Sequence, residues 1–293
     1  MRQQLNFWVI GGDLRQAKMA ELLEEDGHTV HTFALDRLHD LSEGVQTETE
    51  LAGAVLADCV VLPLPAAGEG GLLNAPLAES SHPLSQILDA LRPGQVICAG
   101  RVTAPLQALA EARGLTLYDY FAREELAVAN AVPTAEGAIQ IALEELPITL
   151  HGARVLVIGY GRLGKLLAHR LSALGARVSV AARRCADLAW IEAYGYGVEH
   201  SEQLKGWLCS YDLVINTVPV ELLDETALAD LHPGCLVIDL ASKPGGVDFE
   251  AARRLGVKAI WALSLPGKVA PVTAGKSIKT TIYNIWNELG DSL

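Results

Sequence analysis

The chain has 293 residues, half of them hydrophobic and a fifth charged, with 35 acidic against 23 basic side chains and a formal charge of −12. That length holds two domains with separate cores, and the composition excludes a disordered chain. The negative balance argues against nucleic acid or an anionic membrane as a partner. No apolar stretch approaches the length of a membrane span. Arg2 and the run Phe7-Trp8-Val9-Ile10 lead straight into Gly11-Gly12-Asp13, a strand and a turn and not a signal peptide. Cys59, Cys98, Cys185, Cys209 and Cys235 are scattered and odd in number, as expected of reduced thiols in a cytoplasmic protein. The histidines show no metal-ligand spacing, so no metal is expected.

In chain order, residues 5–10, 30–33, 58–62, 95–99 and 115–118 read as strands. Helices are expected over 14–25, ending at Gly27, and over 106–113, stopped by Gly114. This alternation predicts a small parallel α/β domain over residues 1–129. Its first turn lacks the third glycine of a nucleotide loop, so no second dinucleotide site is assigned. Asp13 and Arg15 nonetheless follow a strand's carboxyl end, where open parallel sheets bind ligands. Arg15 reads equally as a carboxylate clamp and as a surface arginine. Residues 65–83, rich in Gly, Pro and Ser, read as a mobile loop, either a lid or a long connection.

The stretch Asn130-Ala-Val-Pro133-Thr134-Ala-Glu136-Gly137 reads as the start of a helix reaching about Glu145, a hinge over residues 130–148. Glu136 could touch substrate as a hydrogen-bond acceptor or general base. It could equally do no more than favour the positive end of the helix dipole.

Residues 155–158 form an apolar strand, and Gly159-Tyr160-Gly161-Arg162-Leu163-Gly164 follows at once with G-x-G-x-x-G spacing. A helix and a second strand, near 178–180, come next. In that context Gly159 turns the chain, Gly161 leaves room for a pyrophosphate, and Gly164 lets helix and strand pack closely. The helix start offers N–H groups to the phosphates. The second strand ends in Ala181-Ala182-Arg183-Arg184. The acid that holds the NAD ribose, about twenty residues past the first glycine, is missing, and two arginines stand there instead. NADP is therefore favoured, although either arginine could be only a solvated loop residue.

Further helices are expected near 186–194, 201–209, 222–231 and 248–255, and strands near 198, 212–216, 235–240 and 258–261. Six strands complete a Rossmann dinucleotide-binding domain over 149–271. Asn216-Thr217-Val218-Pro219 leaves its fourth strand beside the expected ribose and nicotinamide, and Lys243 follows the fifth. Lys243 is a second candidate for a substrate carboxylate or for proton transfer. A last helix, about 272–289, is expected to return to the first domain, so that residues 272–293 pack there. The fold class is therefore two parallel-sheet α/β domains joined by a hinge helix and a returning C-terminal helix.

Four motifs stand in order: Gly11-Gly12-Asp13-x-Arg15-Gln16, Asn130-x-x-Pro133-Thr134-x-Glu136-Gly137, Asp239-Leu-Ala-Ser-x-Pro-Gly-Gly246 and Leu265-Pro-Gly-x-x-Ala-Pro271-x-Thr-Ala-Gly275. With the central fingerprint they resemble the A subunit of dipicolinate synthase from spore-forming bacteria, over nearly the whole chain. The resemblance implies oxidation of dihydrodipicolinate to pyridine-2,6-dicarboxylate with NADP, in the mother-cell cytoplasm during sporulation. It also implies a smaller, flavoprotein-like second subunit. Lys243 stands where some relatives are expected to carry arginine. On this reading Asp13, Arg15, Asn130 and Lys243 bind the small dicarboxylate, and Thr134 and Glu136 orient its ring. A homo-oligomer is compatible with the sequence.

Two other readings compete. A D-2-hydroxy-acid dehydrogenase shares the layout but uses a histidine near the last loop of the cofactor domain, and residues 265–271 contain none. A non-catalytic NADP-binding sensor or scaffold is the other, since fold does not fix function.

Overall fold

The structure, a computed structural model, describes residues 4–290. It divides into two compact units, Met1–Asn130 with Pro266–Leu293, and Ala131–Leu265. The first contains β1 (Asn6–Ile10), α1 (Leu14–Glu25), β2 (Thr29–Phe33), β3 (Val45–Glu48), β4 (Cys59–Val61), α2 (Leu84–Asp89), β5 (Val96–Ala99), α3 (Ala104–Glu111) and β6 (Leu117–Asp119). The unit boundary falls inside α4 (Glu124–Glu145). The second unit holds β7 (Arg154–Ile158), α5 (Arg162–Ala173), β8 (Arg177–Ala182), α6 (Cys185–Ala193), β9 (Gly197–His200), β10 (Leu213–Asn216), α7 (Glu225–Ala229), β11 (Leu236–Asp239), α8 (Phe249–Leu255) and β12 (Lys258–Trp261). Then come α9 (Leu265–Val269) and α10 (Pro271–Glu288).

Both sheets have six parallel strands, in the orders β3-β2-β1-β4-β5-β6 and β12-β11-β10-β7-β8-β9. Each is the doubly wound 3-2-1-4-5-6 arrangement, with its switch point beside the first strand of the unit. A parallel sheet covered on both faces needs strands apolar throughout, and successive side chains serve opposite cores. In the first unit Trp8, Ile10, Val60 and Leu62 enter one core with Ile87 and Leu106, from α2 and α3. Phe7, Val9, Cys59 and Val61 enter the other with Met19 and Leu23 of α1 and Ile278, Ile282 and Trp286 of α10. The C-terminal helix thus packs against the N-terminal helix, as expected. Gly275 makes this possible: a Cβ there would lie 2.7 Å from the Arg15 carbonyl oxygen and 2.9 Å from the Met19 nitrogen. Residues 291–293 of the expected returning segment lie outside the described residues. Pro266–Pro271, expected in the cofactor domain, falls with the first unit.

Several elements differ from the sequence expectation. The first sheet has a sixth strand, β3, whose Val45-Gln-Thr-Glu48 sequence at the sheet edge carries little apolar signal. Residues 65–83 are not a loose loop. Ala67 bridges Leu73 and Leu72 bridges Pro83, and Ala66, Leu73 and Ala78 are buried in the core. The expected helix at 201–209 is irregular apart from a single 3-10 turn, Leu208–Ser210. That at 222–231 shortens to α7.

The hinge helix begins at Glu124, not near Asn130, and runs on through Pro133. Its start is signalled by Glu124 and Glu125 in the first turn, which suit the positive helix end. Asn130, Thr134, Glu136 and Gly137 therefore lie in the helix interior, and the helix-start role of Glu136 falls. Contrary to the sequence expectation that no stretch is long and apolar enough to span a membrane, α4 is so by length and composition. Its buried Leu126, Ala131, Ala135, Ala138 and Ala142 mark it as a partly buried core helix.

Candidate functional site: the Gly159 crevice and the Arg15 corner

The fingerprint turn of the second unit sits at the switch point between β7 and β10. Gly159 adopts φ 101°, open to glycine, and a Cβ there would press on Thr217 Oγ1 and lie 2.9 Å from Val218 Cγ2. Its N–H donates to the Ala181 carbonyl at 2.8 Å, which stitches the turn to β8. A Cβ on Gly164 would collide with the Gly159 carbonyl oxygen, so helix and strand meet only because that side chain is absent. A Cβ on Gly161 would meet nothing within 4 Å. Gly161 is the N-cap of α5 and offers no side chain to satisfy the helix's first N–H groups. Open space before the N–H groups of a positive helix end is what a pyrophosphate requires.

A crevice of about 510 Å³ opens from this turn, lined by Gly159, Tyr160 and Gly161, by Ala182, Arg183 and Arg184, and by Val218. These are seven of the residues expected to hold a dinucleotide. Asp187, Ser201, Glu202, Val220 and Leu222 also line it. Sequence reasoning misses Asp187 because it looks for an acid at the end of β8, whereas this one enters from the first turn of α6. Arg184 donates from Nε to Asp187 Oδ2 at 2.7 Å and from Nη2 to Oδ1 at 3.0 Å, which raises the guanidinium pKa further. Burial raises the Tyr160 hydroxyl pKa. A larger open groove of about 660 Å³ lies beside Arg154 and Arg177 at the amino ends of β7 and β8. Ligand-binding loops of an open parallel sheet gather at the carboxyl ends, so the smaller crevice is the candidate site.

Arg162, Leu163 and Gly164 sit in the first turn of α5 and shape the cradle without lining the crevice. Pro219 is exposed beyond β10. Thr217 turns its hydroxyl inward to the Ile158 carbonyl at 2.8 Å. Asn216 corrects its expected role, since its side chain is fully buried and spent inside the protein. Its Nδ2 donates to Asp239 Oδ1 at 2.8 Å and to the Val218 carbonyl at 2.9 Å, and its Oδ1 accepts from Val218 N at 3.1 Å. Asp239 also accepts from Ala241 N at 3.0 Å and Gly246 N at 2.8 Å. One buried amide–carboxylate pair therefore shapes the loops leaving β10 and β11. Gly246 must lack a side chain, because a Cβ would overlap Asn216 Nδ2. On this frame Lys243 projects exposed at the carboxyl end of β11, with no acidic partner within 4 Å among the described residues.

Arg15 is not the surface arginine of the alternative expectation. It is 7% exposed, and its charge is already matched. Nε lies 2.9 Å and Nη2 2.8 Å from the two Asp13 carboxylate oxygens, and Nη2 also donates to the Leu64 carbonyl at 2.6 Å. Asp13 is the N-cap of α1, completing a capping box in which Gln16 Oε1 accepts from Asp13 N at 3.1 Å. Gly267, at the start of α9, lies against the pair: a Cβ would stand 3.2 Å from Arg15 Nε. That glycine carries no assigned role in the sequence reading. Leu73 packs on Gly11, where a Cβ would sit 2.7 Å from its Cδ2, so the segment after β4 fills the space over this first turn. Within the second unit Glu136 lies 3.6 Å from Arg170 and its side chain is 60% exposed. Asn130 and Thr134 are half-buried on the same helix.

Paired 3-2-1-4-5-6 sheets, with a glycine-rich cradle on the second, define an NAD(P)-binding, dehydrogenase-like protein. Residues 109–248 match the D-isomer specific 2-hydroxyacid dehydrogenase NAD-binding domain, and residues 6–121 match the N-terminal domain of the dipicolinate synthase A subunit. The chain is 35% identical to the A subunit of dipicolinate synthase from Bacillus subtilis over 287 residues, covering 97% of each. The crystal structure of the Bacillus subtilis dipicolinate synthase A chain superposes with a TM-score of 0.87 at 34% identity, covering 99% of this chain and 98% of that one. That of the corresponding Bacillus halodurans protein gives 0.87 at 32%, covering 97% and 98%. This chain belongs to the family of dipicolinate synthase A subunits. A transhydrogenase from Sinorhizobium meliloti shares the fold, with a TM-score of 0.72 at 19% identity, covering 96% and 94%.

Proposed function

We propose that the chain oxidises dihydrodipicolinate to pyridine-2,6-dicarboxylate with NADP, in the cytoplasm, together with a second, flavoprotein-like subunit. The observation that carries the cofactor choice is Arg183. It lines the crevice at the end of β8 and has no carboxylate within 4 Å among the described residues. A guanidinium there suits the 2′-phosphate that distinguishes NADP from NAD. The open N-terminus of α5 and the bare Gly161 would take the pyrophosphate.

When bound, the nicotinamide supplies the hydride acceptor. The protein has to hold the diacid, exclude competing poses and let one proton leave as the ring becomes aromatic. Lys243 is the stronger candidate for a carboxylate, being exposed, without an acidic partner among the described residues, and carried on a loop fixed by Asp239. Among the described residues no partner takes the Arg15 Nη1 protons, but Asp13 cancels its charge, so it would bind by directed hydrogen bonds. Asn130, Thr134 and Glu136 lie along one helix, and Glu136, which would have to leave Arg170, is the carboxylate of the three that could accept the proton.

Incubating the protein with dihydrodipicolinate and NADP, and following the ultraviolet absorbance of pyridine dicarboxylate, tests the reading. Product should form faster with NADP than with NAD, and Arg183→Ala should raise the NADP KM by about ten-fold or more, the scale of one charge-assisted hydrogen bond. A NADP KM unchanged in that variant rejects the cofactor choice. Turnover of simple 2-hydroxy acids instead would favour the dehydrogenase relatives, although residues 265–271 carry no histidine for that chemistry.

A further inference from the structure

The mouth of the crevice holds two guanidinium groups and two carboxylates, and they are unequally engaged. Arg184 is tied to Asp187 through two parallel hydrogen bonds of 2.7 and 3.0 Å. Asp187 is the fixed member: its side chain is 16% exposed, and it stands in the first turn of α6, where a carboxylate suits the helix end. The Arg184 side chain is 74% exposed, so this pair is what fixes its direction. Arg183, one residue earlier, has no such anchor among the described residues.

We propose that Asp187 sets the nucleotide preference of this crevice by holding Arg184 away from the adenosine ribose. The inference rests on the NADP reading above. With Arg184 held, Arg183 is the crevice-lining arginine left for a 2′-phosphate. Asp187 also opposes that phosphate directly, since like charges in one crevice repel. A carboxylate at the same place accepts a hydrogen bond from an unphosphorylated ribose hydroxyl, the usual device for NAD. Asp187 therefore narrows the preference for NADP in two ways. Its removal releases a second guanidinium and lifts a repulsion at once.

Calorimetric titration of the full chain with 2′,5′-ADP and with 5′-AMP tests this without turnover. Asp187→Asn keeps the shape of the side chain and removes its charge. It should tighten 2′,5′-ADP by roughly two- to five-fold, the upper range of an exposed ion pair, and leave 5′-AMP unchanged or weaker. Asp187→Glu, which keeps the charge, should behave as wild type, and thermal melts of both variants check the fold. Arg184→Ala should change 2′,5′-ADP binding by less than about two-fold in wild type, yet weaken it by more than that in the Asp187→Asn background, removing the part of the gain that the released guanidinium supplies. An unchanged preference in Asp187→Asn, or an equal Arg184→Ala effect in both backgrounds, overturns the proposal while leaving the NADP reading intact. If wild type does not prefer 2′,5′-ADP over 5′-AMP and Arg183→Ala alters neither, the NADP reading fails and the premise goes with it.

Discussion

Asp239 shows how much structure one buried side chain can organise. It satisfies Asn216 Nδ2 and the Ala241 and Gly246 amides together, each within 3.0 Å. Asp239→Asn would set an amide donor against those donors, and each buried group left unpaired costs about 1–3 kcal/mol. A fall in stability of about 2–4 kcal/mol is expected, read as a lower urea midpoint at unchanged slope. Lys243 sits on the loop this network shapes, so the KM for the proposed dicarboxylate substrate should rise as well.

The thiols make a second case at the same scale. Cys59, Cys98 and Cys235 are buried, whereas Cys185 and Cys209 are exposed. Burial raises the Cys235 thiol to about 12. An unfolded thiol ionises near 8.5. Because the folded value is the higher, this group's contribution to stability is complete below the unfolded value and is lost as pH climbs toward 12. Cys235→Ala should therefore show a shallower loss of urea stability between about pH 9 and 11 than wild type, by roughly 1 kcal/mol per pH unit. Parallel curves would mean that burial does not hold this thiol neutral.

Among the elements, the α1–α10 pair depends on Gly275 for its close approach. Gly275→Val would push side-chain carbon into the α1 backbone near Arg15 and Met19. Overpacking of this kind costs about 1–3 kcal/mol. Lys279 donates to the Leu22 carbonyl at 3.1 Å and to Asp26 at 2.7 Å, placing a cation where the last turn of α1 leaves carbonyls unpaired. The β7–α5 unit behaves differently. Gly164→Val would drive a side chain against the Gly159 carbonyl, separating helix from strand at the cradle. That variant should lose binding of 5′-AMP and 2′,5′-ADP alike in calorimetry. The far-UV circular dichroism of the sheets should stay largely intact, and retained binding would show that the cradle tolerates the displacement.

At the scale of the whole molecule, the first unit is assembled from both ends of the chain. Ile278, Ile282, Ile285 and Trp286 supply part of the core beneath β1 and β4. Each such side chain contributes about 1.5–3 kcal/mol on burial, a sum comparable with the net stability of a domain. A chain ending at residue 265 is therefore expected to lose the cooperative unfolding transition of the first unit and expose its apolar face to dye. Supplying residues 266–293 in trans should restore protection. Native melting of the truncated chain would contradict this account of the core.

The second unit was largely legible in the sequence because its signals are local. Three glycines at fixed spacing, an apolar strand before them and a helix after them each follow from backbone geometry within a short stretch. The first unit was less so. Val45–Glu48 is too polar to announce an edge strand, and residues 65–83 look loose until Leu73 is seen filling the space over Gly11. The start of α4 is misread because Pro133 mimics a helix beginning, whereas burial holds the helix together across it. Charge partners are hidden altogether. That Asp13 neutralises Arg15, that Asp187 claims Arg184, and that Asn216 spends its amide on Asp239 depend on which side chains the folded chain brings within about 3 Å. The sequence by itself determined the fold class and the cradle, since backbone propensity and hydrophobic period act over neighbouring residues. Only the tertiary structure decided which charges remain available for a ligand, because pairing and burial are set by residues far apart along the chain.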